Sequence, residues 1–304
     1  MPDLKGLVAA VQRYSTKDGP GLRTTAFLIN CNMRCKWCSN PEAMLPGKKV
    51  LYHVNRCQRS AVCAGVAANG SITVTSDGCE IDRAGCTNLL DLPAACNHDA
   101  WEIKGDEYTP AEMADILLRD EVFYQTSGGG VTFSGGECLM QHRFVRQTSE
   151  FLKKRNVHIA IDTAGLWRFD TVRPALELAD LIMLDIKAMD PMIHLACTGV
   201  RNEVVLANAR RLAAMNKPMI FRMVIVPGMN DQTDDVRRRV EFIASLGDVV
   251  QQLDVLKYHR LAMGKYRDLG MEYPIPDVRE AEDSDVEWII DYGASLGLAM
   301  TVGG

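Results

Sequence analysis

Three cysteines close together in the sequence have the type and spacing to bind a metal centre. Cys31, Cys35 and Cys38 form a C-x3-C-x2-C pattern within the stretch INCNMRCKWCSNPE, residues 29–42. A tetrahedral zinc site needs four ligands, and the next candidate, His53, comes fifteen residues after Cys38. A [4Fe–4S] cluster takes thiolate ligands on four irons, so three thiolates leave one iron free to bind a small molecule. We therefore interpret the pattern as a cluster site with one open iron, with zinc as the alternative.

The chain as a whole has the composition of an ordinary globular protein. Its 304 residues are 47% hydrophobic and 24% charged, and the net charge of −5 argues against nucleic acid or an anionic membrane as a partner. No apolar run approaches the roughly 18 residues of a membrane span, and the N-terminus lacks the apolar stretch of a signal peptide. We therefore expect a cytoplasmic location, in which the ten cysteines are ligands rather than disulfides.

The elements that must position these residues alternate between strands and helices. Runs rich in apolar or β-branched residues predict six strands, at 24–29, 131–133, 157–161, 181–186, 219–226 and 253–256. A helix is predicted from Thr109, because Pro110 and Glu112 complete the pattern of a capped first turn. Two later helices are indicated by apolar residues on one face: Val236, Val240 and Ile243 in the first, and Val286, Ile289 and Ile290 in the second. Repeated βα units predict a parallel sheet, either open or closed into a barrel.

Chemically capable residues follow each of the six strands. They are the cysteine triplet, SGGE at 134–137, DT at 162–163, DIK at 185–187, PGMND at 227–231 and YH at 258–259. Taken singly, each has an ordinary explanation, such as a Gly-Gly turn, a helix N-cap at Asp162, a solvated Lys187 or a structural His259. The carboxyl ends of parallel strands meet at one edge, where βα proteins build active sites. Their shared position therefore predicts one active site.

The motifs resemble those of a known family. The C-x3-C-x2-C pattern is similar to the signature of radical S-adenosylmethionine enzymes. Six further stretches resemble the glycyl-radical-enzyme activating enzymes of that superfamily, in family order along nearly the whole chain: DGPGLRT (18–24), WCSNPE (37–42), GGGVTFSGGE (128–137), DTAG (162–165), MLDIK (183–187) and YHRLAMGKYRDLG (258–270). The resemblance implies an α/β fold. Residues 1–50 and 105–304 would form a partial (β/α)6 TIM-like barrel, and residues 51–104 a small ferredoxin-like insertion.

The resemblance also implies an activity. Such an enzyme holds S-adenosylmethionine on the open iron and cleaves it reductively, with flavodoxin or ferredoxin as electron donor. The 5′-deoxyadenosyl radical then takes a hydrogen atom from a backbone glycine of a large partner, a glycyl radical enzyme. The sequence leaves open whether that partner is a choline, glycerol or diol, isethionate or arylacetate lyase. Two other interpretations stay open here: a radical S-adenosylmethionine enzyme with another peptide or small substrate, and an iron–sulfur electron carrier or zinc-binding protein.

The resemblance assigns site residues position by position. Gly136 matches the backbone site for the amino group of S-adenosylmethionine. The other implied cofactor contacts are Trp37, Cys38, Ser39, Asp185, Ile186, Lys187 and His259, and the strand position of Arg222 suggests that it faces the cofactor. A monovalent-cation site, for Na⁺ or K⁺, is implied at Asp162, Thr163, Met183 and Asp185, and Asp18 matches a residue near the bound substrate peptide. Two positions depart from the family pattern: Asn30 replaces a usual Gly, and Cys138 a usual Pro.

The insertion keeps the frame of a two-cluster ferredoxin but lacks several ligands. The two runs of the frame hold Cys57, Ser60, Cys63 and Ala67, and Cys86, Leu89, Leu92 and Cys96. Since each run gives three ligands to one cluster and one to the other, one site keeps Cys57, Cys63 and Cys96, and the other keeps only Cys86. The sequence predicts at most one auxiliary cluster, with Cys79 or Ser60 as its fourth ligand. We favour none, with the thiols packed as small apolar groups, as we expect for Cys138 and Cys197. The segment would then serve as a docking or shielding surface.

Overall fold

A nine-stranded sheet is the largest element of the computed structural model, which describes residues 4–303. The strands of the chain are β1 Gly6–Ser15, β2 Arg23–Leu28, β3 Lys49–Tyr52, β4 Ile72–Thr75, β5 Gly78–Ile81, β6 Trp101–Lys104, β7 Asp106–Tyr108, β8 Gly130–Gly135, β9 His158–Thr163, β10 Leu181–Asp185, β11 Met219–Ile225, β12 Val250–Lys257 and β13 Met300–Val302. The sheet has the order β13-β12-β11-β10-β9-β8-β2-β1-β7. From β13 to β2 the neighbouring strands are parallel, while β1 and β7 are antiparallel to their neighbours. The predicted α/β class is confirmed.

Most helices of the chain pack against this sheet and bury its strands. In chain order the helices are α1 Val62–Val66, α2 Leu92–Ala95, α3 Pro110–Leu117, α4 Glu121–Ser127, α5 His142–Lys153, α6 Phe169–Leu178, α7 Pro191–Thr198, α8 Glu203–Ala214, α9 Thr233–Ala244, α10 Met263–Leu269 and α11 Asp283–Ser295. Of these, α1 and α2 pack within residues 49–104 instead. Val131 and Phe133 of β8 and Ile182 and Leu184 of β10 are fully buried, as a parallel sheet covered by helices requires. None of the helices within residues 4–303 has the length and apolarity to cross a bilayer.

The six predicted strands are all present, as β2, β8, β9, β10, β11 and β12. The largest difference in bounds is at β12, which begins at Val250 rather than at 253. The predicted helix cap is also present: the Thr109 hydroxyl accepts a hydrogen bond from Glu112 N–H (3.3 Å), and the Glu112 carboxylate accepts one from Thr109 N–H (2.8 Å). The sequence analysis does not predict β1, β7 or β13, which extend the sheet at its two edges.

Residues 49–104 leave the nine-stranded sheet and return to it at neighbouring points. β3 pairs antiparallel with β6, so that Lys49 lies opposite Lys104, and β4 pairs antiparallel with β5. The segment encloses its own cluster of buried residues, which includes Leu92 and Trp101. The proposed boundary between residues 50 and 51 falls inside β3, and the division into barrel and insertion stays a prediction.

Helix α10 connects residues 49–104 to the cysteine loop. Lys265 of this helix donates a hydrogen bond to the carbonyl of Ser39, directly after the third cysteine (3.0 Å). On the same helix, the Asp268 carboxylate lies 2.8 Å from His53 Nδ1, and the Asp268 carbonyl accepts a hydrogen bond from Arg83 (2.8 Å). One short helix therefore contacts the cysteine loop through Lys265 and the inserted segment through Asp268.

Candidate active site

The carboxyl ends of the parallel strands surround a cleft of about 240 Å³. The cleft brings together most of the residues that the sequence analysis assigns to the site. Those that line it are Cys31, Cys35, Trp37, Cys38, Ser39, Gly136, Asp162, Thr163, Asp185, Lys187 and Arg222. They come from the loop after β2, from the ends of β8, β9 and β10, and from the middle of β11. The stretches predicted after the fifth and sixth strands, 227–231 and 258–259, are not among the residues that line this cleft.

The cysteine loop begins where β2 ends and brings three thiols to the cleft. It is held in place from its first cysteine, because Cys31 N–H donates to the carbonyl of Met44 (3.0 Å). Burial raises the pKa of the Cys31 thiol to about 11 and that of Cys38 to about 12, and it raises the pKa of Cys35 as well. A metal centre replaces the thiol protons and offsets the cost of burying thiolates, because its charge stabilises them. The donor set therefore fits a [4Fe–4S] cluster with three protein ligands.

The two departures from the family pattern have different structural settings. Asn30 adopts a φ of +99°, in the region that glycine occupies without steric cost, so the turn into the cysteine loop is kept at the expense of backbone strain. Cys138 is fully buried, and its Sγ lies 3.5 Å from the carbonyl oxygen of Asp162. Neither side chain is among those that line the cleft.

Gly136 occupies a position where no side chain fits. A Cβ at this residue would lie 2.5 Å from the carbonyl oxygens of both Ala43 and Asn30, and backbone oxygens cannot move aside as a flexible side chain can. Its own N–H donates to the carbonyl of Leu28 (2.8 Å). The missing side chain therefore lets the SGGE turn pack against Ala43 and Asn30, while Gly136 itself lines the cleft.

The next residue, Glu137, joins the ends of β8 and β9, a role that the sequence analysis misses. Its carboxylate accepts hydrogen bonds from the Thr163 hydroxyl (2.7 Å), Ala164 N–H (2.9 Å) and Leu139 N–H (3.1 Å). Burial raises its pKa to about 7 although these three donors act in the opposite direction. The sequence shows an acidic residue directly after Gly-Gly. The structure adds that the side chain of this residue is fully buried.

A partly buried arginine, Arg222, lies against the carboxylate predicted to bind a cation. Arg222 Nη1 is 3.3 Å from Asp162 Oδ2, which also accepts a hydrogen bond from Ser134 (2.7 Å). The same guanidinium donates to the carbonyl of Lys17 (2.6 Å), and its Nε is 4.0 Å from Asp254 Oδ2. Burial raises the pKa of Asp162, and Arg222 opposes this effect. The negative charge at this end of the cleft is therefore partly neutralised by the protein itself.

Lys187 supplies positive charge on the side of the cleft near the thiols. Its Nζ lies 3.1 Å from Asp185 Oδ2. Burial works against the charge, but Asp185 and the nearby thiols of Cys35 and Cys38 raise the pKa of Lys187 above its ordinary value. The lysine is thus held as a cation beside the cleft and is only 8% exposed.

The backbone of Lys187 is positioned by two buried side chains. Its carbonyl accepts hydrogen bonds from the Asn230 amide (2.9 Å) and from Arg239 (3.3 Å). Asn230 belongs to the PGMND stretch noted after the fifth strand, so the sequence marks it. Arg239 lies on α9, and its Nε is 3.1 Å from Asp235 Oδ2 on the same helix. An acidic and a basic residue four positions apart are typical of a helix surface, so the sequence does not predict that Arg239 contacts the Lys187 carbonyl.

Four of the assigned residues lie outside the cleft lining. Ile186 is buried in the main core and Met183 in a small apolar cluster, so neither is among the residues that line the cleft. The Asp18 carboxylate accepts hydrogen bonds from Ser15 (2.6 Å) and Thr25 (2.7 Å). His259 lines an adjoining pocket, which shares Trp37, Ser39, Val224 and Leu256 with the cleft. Their assigned roles stay predictions, as do those of the cleft residues.

Comparisons with known proteins place the chain in a family. The family model described as "Radical SAM superfamily" matches residues 27–240. The chain is 35% identical to choline trimethylamine-lyase activating enzyme from Oleidesulfovibrio alaskensis, over 94% of each chain. It is 33% identical to (2S)-3-sulfopropanediol dehydratase activating enzyme from Klebsiella oxytoca, over 98% of this chain and 97% of the relative.

A solved structure agrees with these relatives. A domain of pyruvate-formate lyase-activating enzyme from Bacteroides vulgatus superimposes with a TM-score of 0.50 at 29% identity, covering 58% of this chain and all of that domain. The part of the fold that it shares is therefore common to a second activating enzyme. Because the family model spans most of the sequence and the relatives cover more than nine tenths of it, the chain belongs to the radical S-adenosylmethionine superfamily and, within it, to the glycyl-radical-enzyme activating enzymes.

Proposed function

We propose that this activating enzyme binds a [4Fe–4S] cluster at Cys31, Cys35 and Cys38, with S-adenosylmethionine in the cleft beside them. A [4Fe–4S] cluster held by these thiols would supply the electron for reductive cleavage of S-adenosylmethionine. The single observation that carries the proposal is that three thiols and polar side chains from four neighbouring strands share one cleft. Flavodoxin or ferredoxin is the proposed source of the electron.

The chain's own residues bind and orient the cofactor. The backbone of Gly136, which lines the cleft together with the three thiols, is proposed to accept a hydrogen bond from the amino group of S-adenosylmethionine. Lys187, held as a cation beside the thiols, is proposed to attract the carboxylate by a charge-assisted hydrogen bond. Trp37 and Ser39 line both the cleft and the adjoining pocket of His259. The remainder of the cofactor is proposed to lie in that pocket.

The proposed substrate is a backbone glycine of a large glycyl radical enzyme. Asp18 lies one residue from Lys17, whose carbonyl binds Arg222 at the cleft. That link supports the assignment of the segment around Asp18 to the bound glycine-containing peptide.

The test is transfer of a labelled hydrogen atom. The purified enzyme, S-adenosylmethionine and a reductant are incubated anaerobically with each candidate glycyl radical enzyme, deuterated at its glycines. We expect deuterium in 5′-deoxyadenosine and a glycyl radical in the electron paramagnetic resonance spectrum for one partner. A partner whose radical glycine is replaced by Ala is the matched control and should give neither. Cleavage of S-adenosylmethionine without a radical on any partner would favour another peptide or small substrate.

Lys187→Ala and His259→Ala are expected to weaken S-adenosylmethionine binding and leave the first cluster in place. A hydrogen bond to a charged group contributes about 1.5–3 kcal/mol, so we expect the Kd to rise roughly 10- to 100-fold for Lys187→Ala. A smaller rise is expected for His259→Ala, since His259 lines the adjoining pocket. Lys217→Ala is the control, because Lys217 binds the carbonyls of Glu177 and Ala179 away from the cleft. Unchanged affinity in both site variants would show that the strand-end assignments are wrong.

Asp162→Ala is expected to make activity insensitive to exchange of sodium for potassium. The proposed cation site combines Asp162 and Asp185 with Thr163 and Met183, and a cation would relieve the repulsion between the two carboxylates. Asp254→Asn is the matched control, because Asp254 faces the same Arg222 but is not a proposed ligand. Cation dependence that persists in Asp162→Ala would show that the cation does not bind at Asp162.

A further inference from the structure

Tyr266 carries a hydroxyl group that has no hydrogen-bond partner among residues 4–303. The residue lies on α10 and is 1% exposed, so the protein encloses it almost completely. Leaving a buried hydroxyl unpaired is destabilising, and the great majority of buried polar side chains have a partner. The hydroxyl of Tyr266 is therefore a candidate for a bond to a group that the polypeptide does not supply.

The other tyrosines of the same buried cluster are paired with each other. The cluster includes Tyr258, Tyr266 and Tyr273. The hydroxyls of Tyr258 and Tyr273 lie 2.7 Å apart. The ring of Tyr273 packs edge-to-face against that of Tyr266, with 5.0 Å between the ring centroids. Packing thus holds the ring of Tyr266 in place, while the hydroxyls around it bond to each other.

Helix α10 places Tyr266 beside the third cysteine of the cysteine loop. Lys265, the preceding residue, donates hydrogen bonds to the carbonyl of Ser39 (3.0 Å) and to the side chain of Asn40 (3.1 Å). These contacts fix the helix against the chain directly after Cys38. Cys38 packs against the buried cluster that contains Tyr266 and also lines the cleft. Tyr266 therefore approaches Cys38 from the protein interior, on the side away from the cleft.

The sulfurs of the cysteine loop also act on this hydroxyl electrostatically. Burial raises the pKa of Tyr266 above its ordinary value, and the charge of Cys38, followed by that of Cys35, raises it further. Glu42 and Tyr258 act in the same direction but more weakly. The hydroxyl therefore keeps its proton, and the negative groups that affect it most are two thiolates of the loop.

We propose that Tyr266 donates a hydrogen bond to a sulfur of the iron–sulfur cluster, at the Cys38 side of the loop, and thereby raises the reduction potential of the cluster. The proposal rests on the proposed function, because the acceptor is the cluster assigned to the cysteine loop. An added electron makes the sulfurs more negative, so a hydrogen-bond donor stabilises the reduced state more than the oxidised one. Hydrogen bonds to the sulfurs are among the factors that set the potentials of such clusters.

The test is the midpoint potential of the first cluster in Tyr266→Phe. The full chain is reconstituted anaerobically with iron and sulfide, and its reduced cluster is followed by electron paramagnetic resonance in a redox titration. The signal of the first cluster is the one that Cys35→Ala lacks. We expect unchanged iron content and an about tenfold smaller equilibrium constant for reduction, which makes the potential about 59 mV more negative for a one-electron couple. Tyr273→Phe is the matched control, because it removes a buried hydroxyl that is already paired, and it should leave the potential unchanged.

A second measurement detects the hydrogen bond itself. In protein reconstituted in deuterium oxide, the hydroxyl of Tyr266 carries a deuteron, and we expect its coupling to the reduced cluster in the pulsed electron paramagnetic resonance spectrum. This coupling should be lost in Tyr266→Phe and kept in Tyr273→Phe. An unchanged potential or an unchanged deuteron coupling in Tyr266→Phe, or equal shifts in both variants, would overturn the proposal and leave the cluster assignment standing. An unsubstituted chain without a cluster at the cysteine loop would overturn the proposed function as well.

Discussion

Replacing Cys35 with Ala is expected to abolish formation of 5′-deoxyadenosine. The loop offers three thiols, and a cluster that lost one of them would have two open irons and no further thiolate ligand from the loop. Cys35 is also the middle cysteine of the three, and its thiol lies near the charge of Lys187. The measurement is 5′-deoxyadenosine released after dithionite reduction, together with iron content.

The matched control is Cys197→Ala. Cys197 is a buried thiol that packs in the same apolar cluster as Trp37, but it does not line the cleft. We expect this variant to keep its first cluster and most of its activity. Turnover in Cys35→Ala comparable to that of Cys197→Ala would contradict the assignment of the three-cysteine site.

Gly136→Ala is expected to lower 5′-deoxyadenosine formation about 100-fold, the loss that a displacement near 1 Å causes at an active site. The added methyl group would meet the carbonyls of Asn30 and Ala43 at 2.5 Å. Because Asn30 directly precedes the first cysteine, relief of this clash moves either the cysteine loop or the SGGE turn. Either movement separates the cluster from the site proposed for the amino group.

Gly264→Ala provides the comparison for this substitution. Gly264 lies on α10, and a Cβ there would have no heavy atom within 4 Å. Ala is the better helix former by about 1 kcal/mol, so stability should rise slightly and activity should stay unchanged. If Gly136→Ala were as active as Gly264→Ala, the close approach at residue 136 would have no catalytic consequence.

The fold could be predicted where the sequence pattern is strong. The six inner strands contain runs rich in apolar residues because most of their side chains are buried. The helix that begins after Thr109 could be predicted from the residues of its cap. β1 escapes this reasoning because it is antiparallel, partly exposed and interrupted by register shifts. β7 and β13 have three residues each, too few to show a period.

The site could be predicted in outline, because strand ends in a parallel sheet converge. Residues that act from other elements could not be predicted in this way. Arg239 reaches the Lys187 carbonyl from helix α9. The N–H of Cys79, on the β4–β5 hairpin, reaches the Tyr52 hydroxyl, and a Cβ at the neighbouring Gly78 would clash with Tyr52 and Val54. Both contacts depend on how elements far apart in the chain pack together, and the spacing of residues along the chain does not predict such packing.

The pairing of Lys49 with Lys104 has a consequence for how this protein can change over evolution. A segment whose two ends lie side by side is a removable module, since a short turn could join β3 to β6 without altering the order of the barrel strands. Shortening it that far would cost α10 its contacts with His53 and Arg83. The contact of Lys265 with the cysteine loop would then remain to hold α10 in position. Lineages that discard the module should therefore compensate at this helix rather than in the barrel.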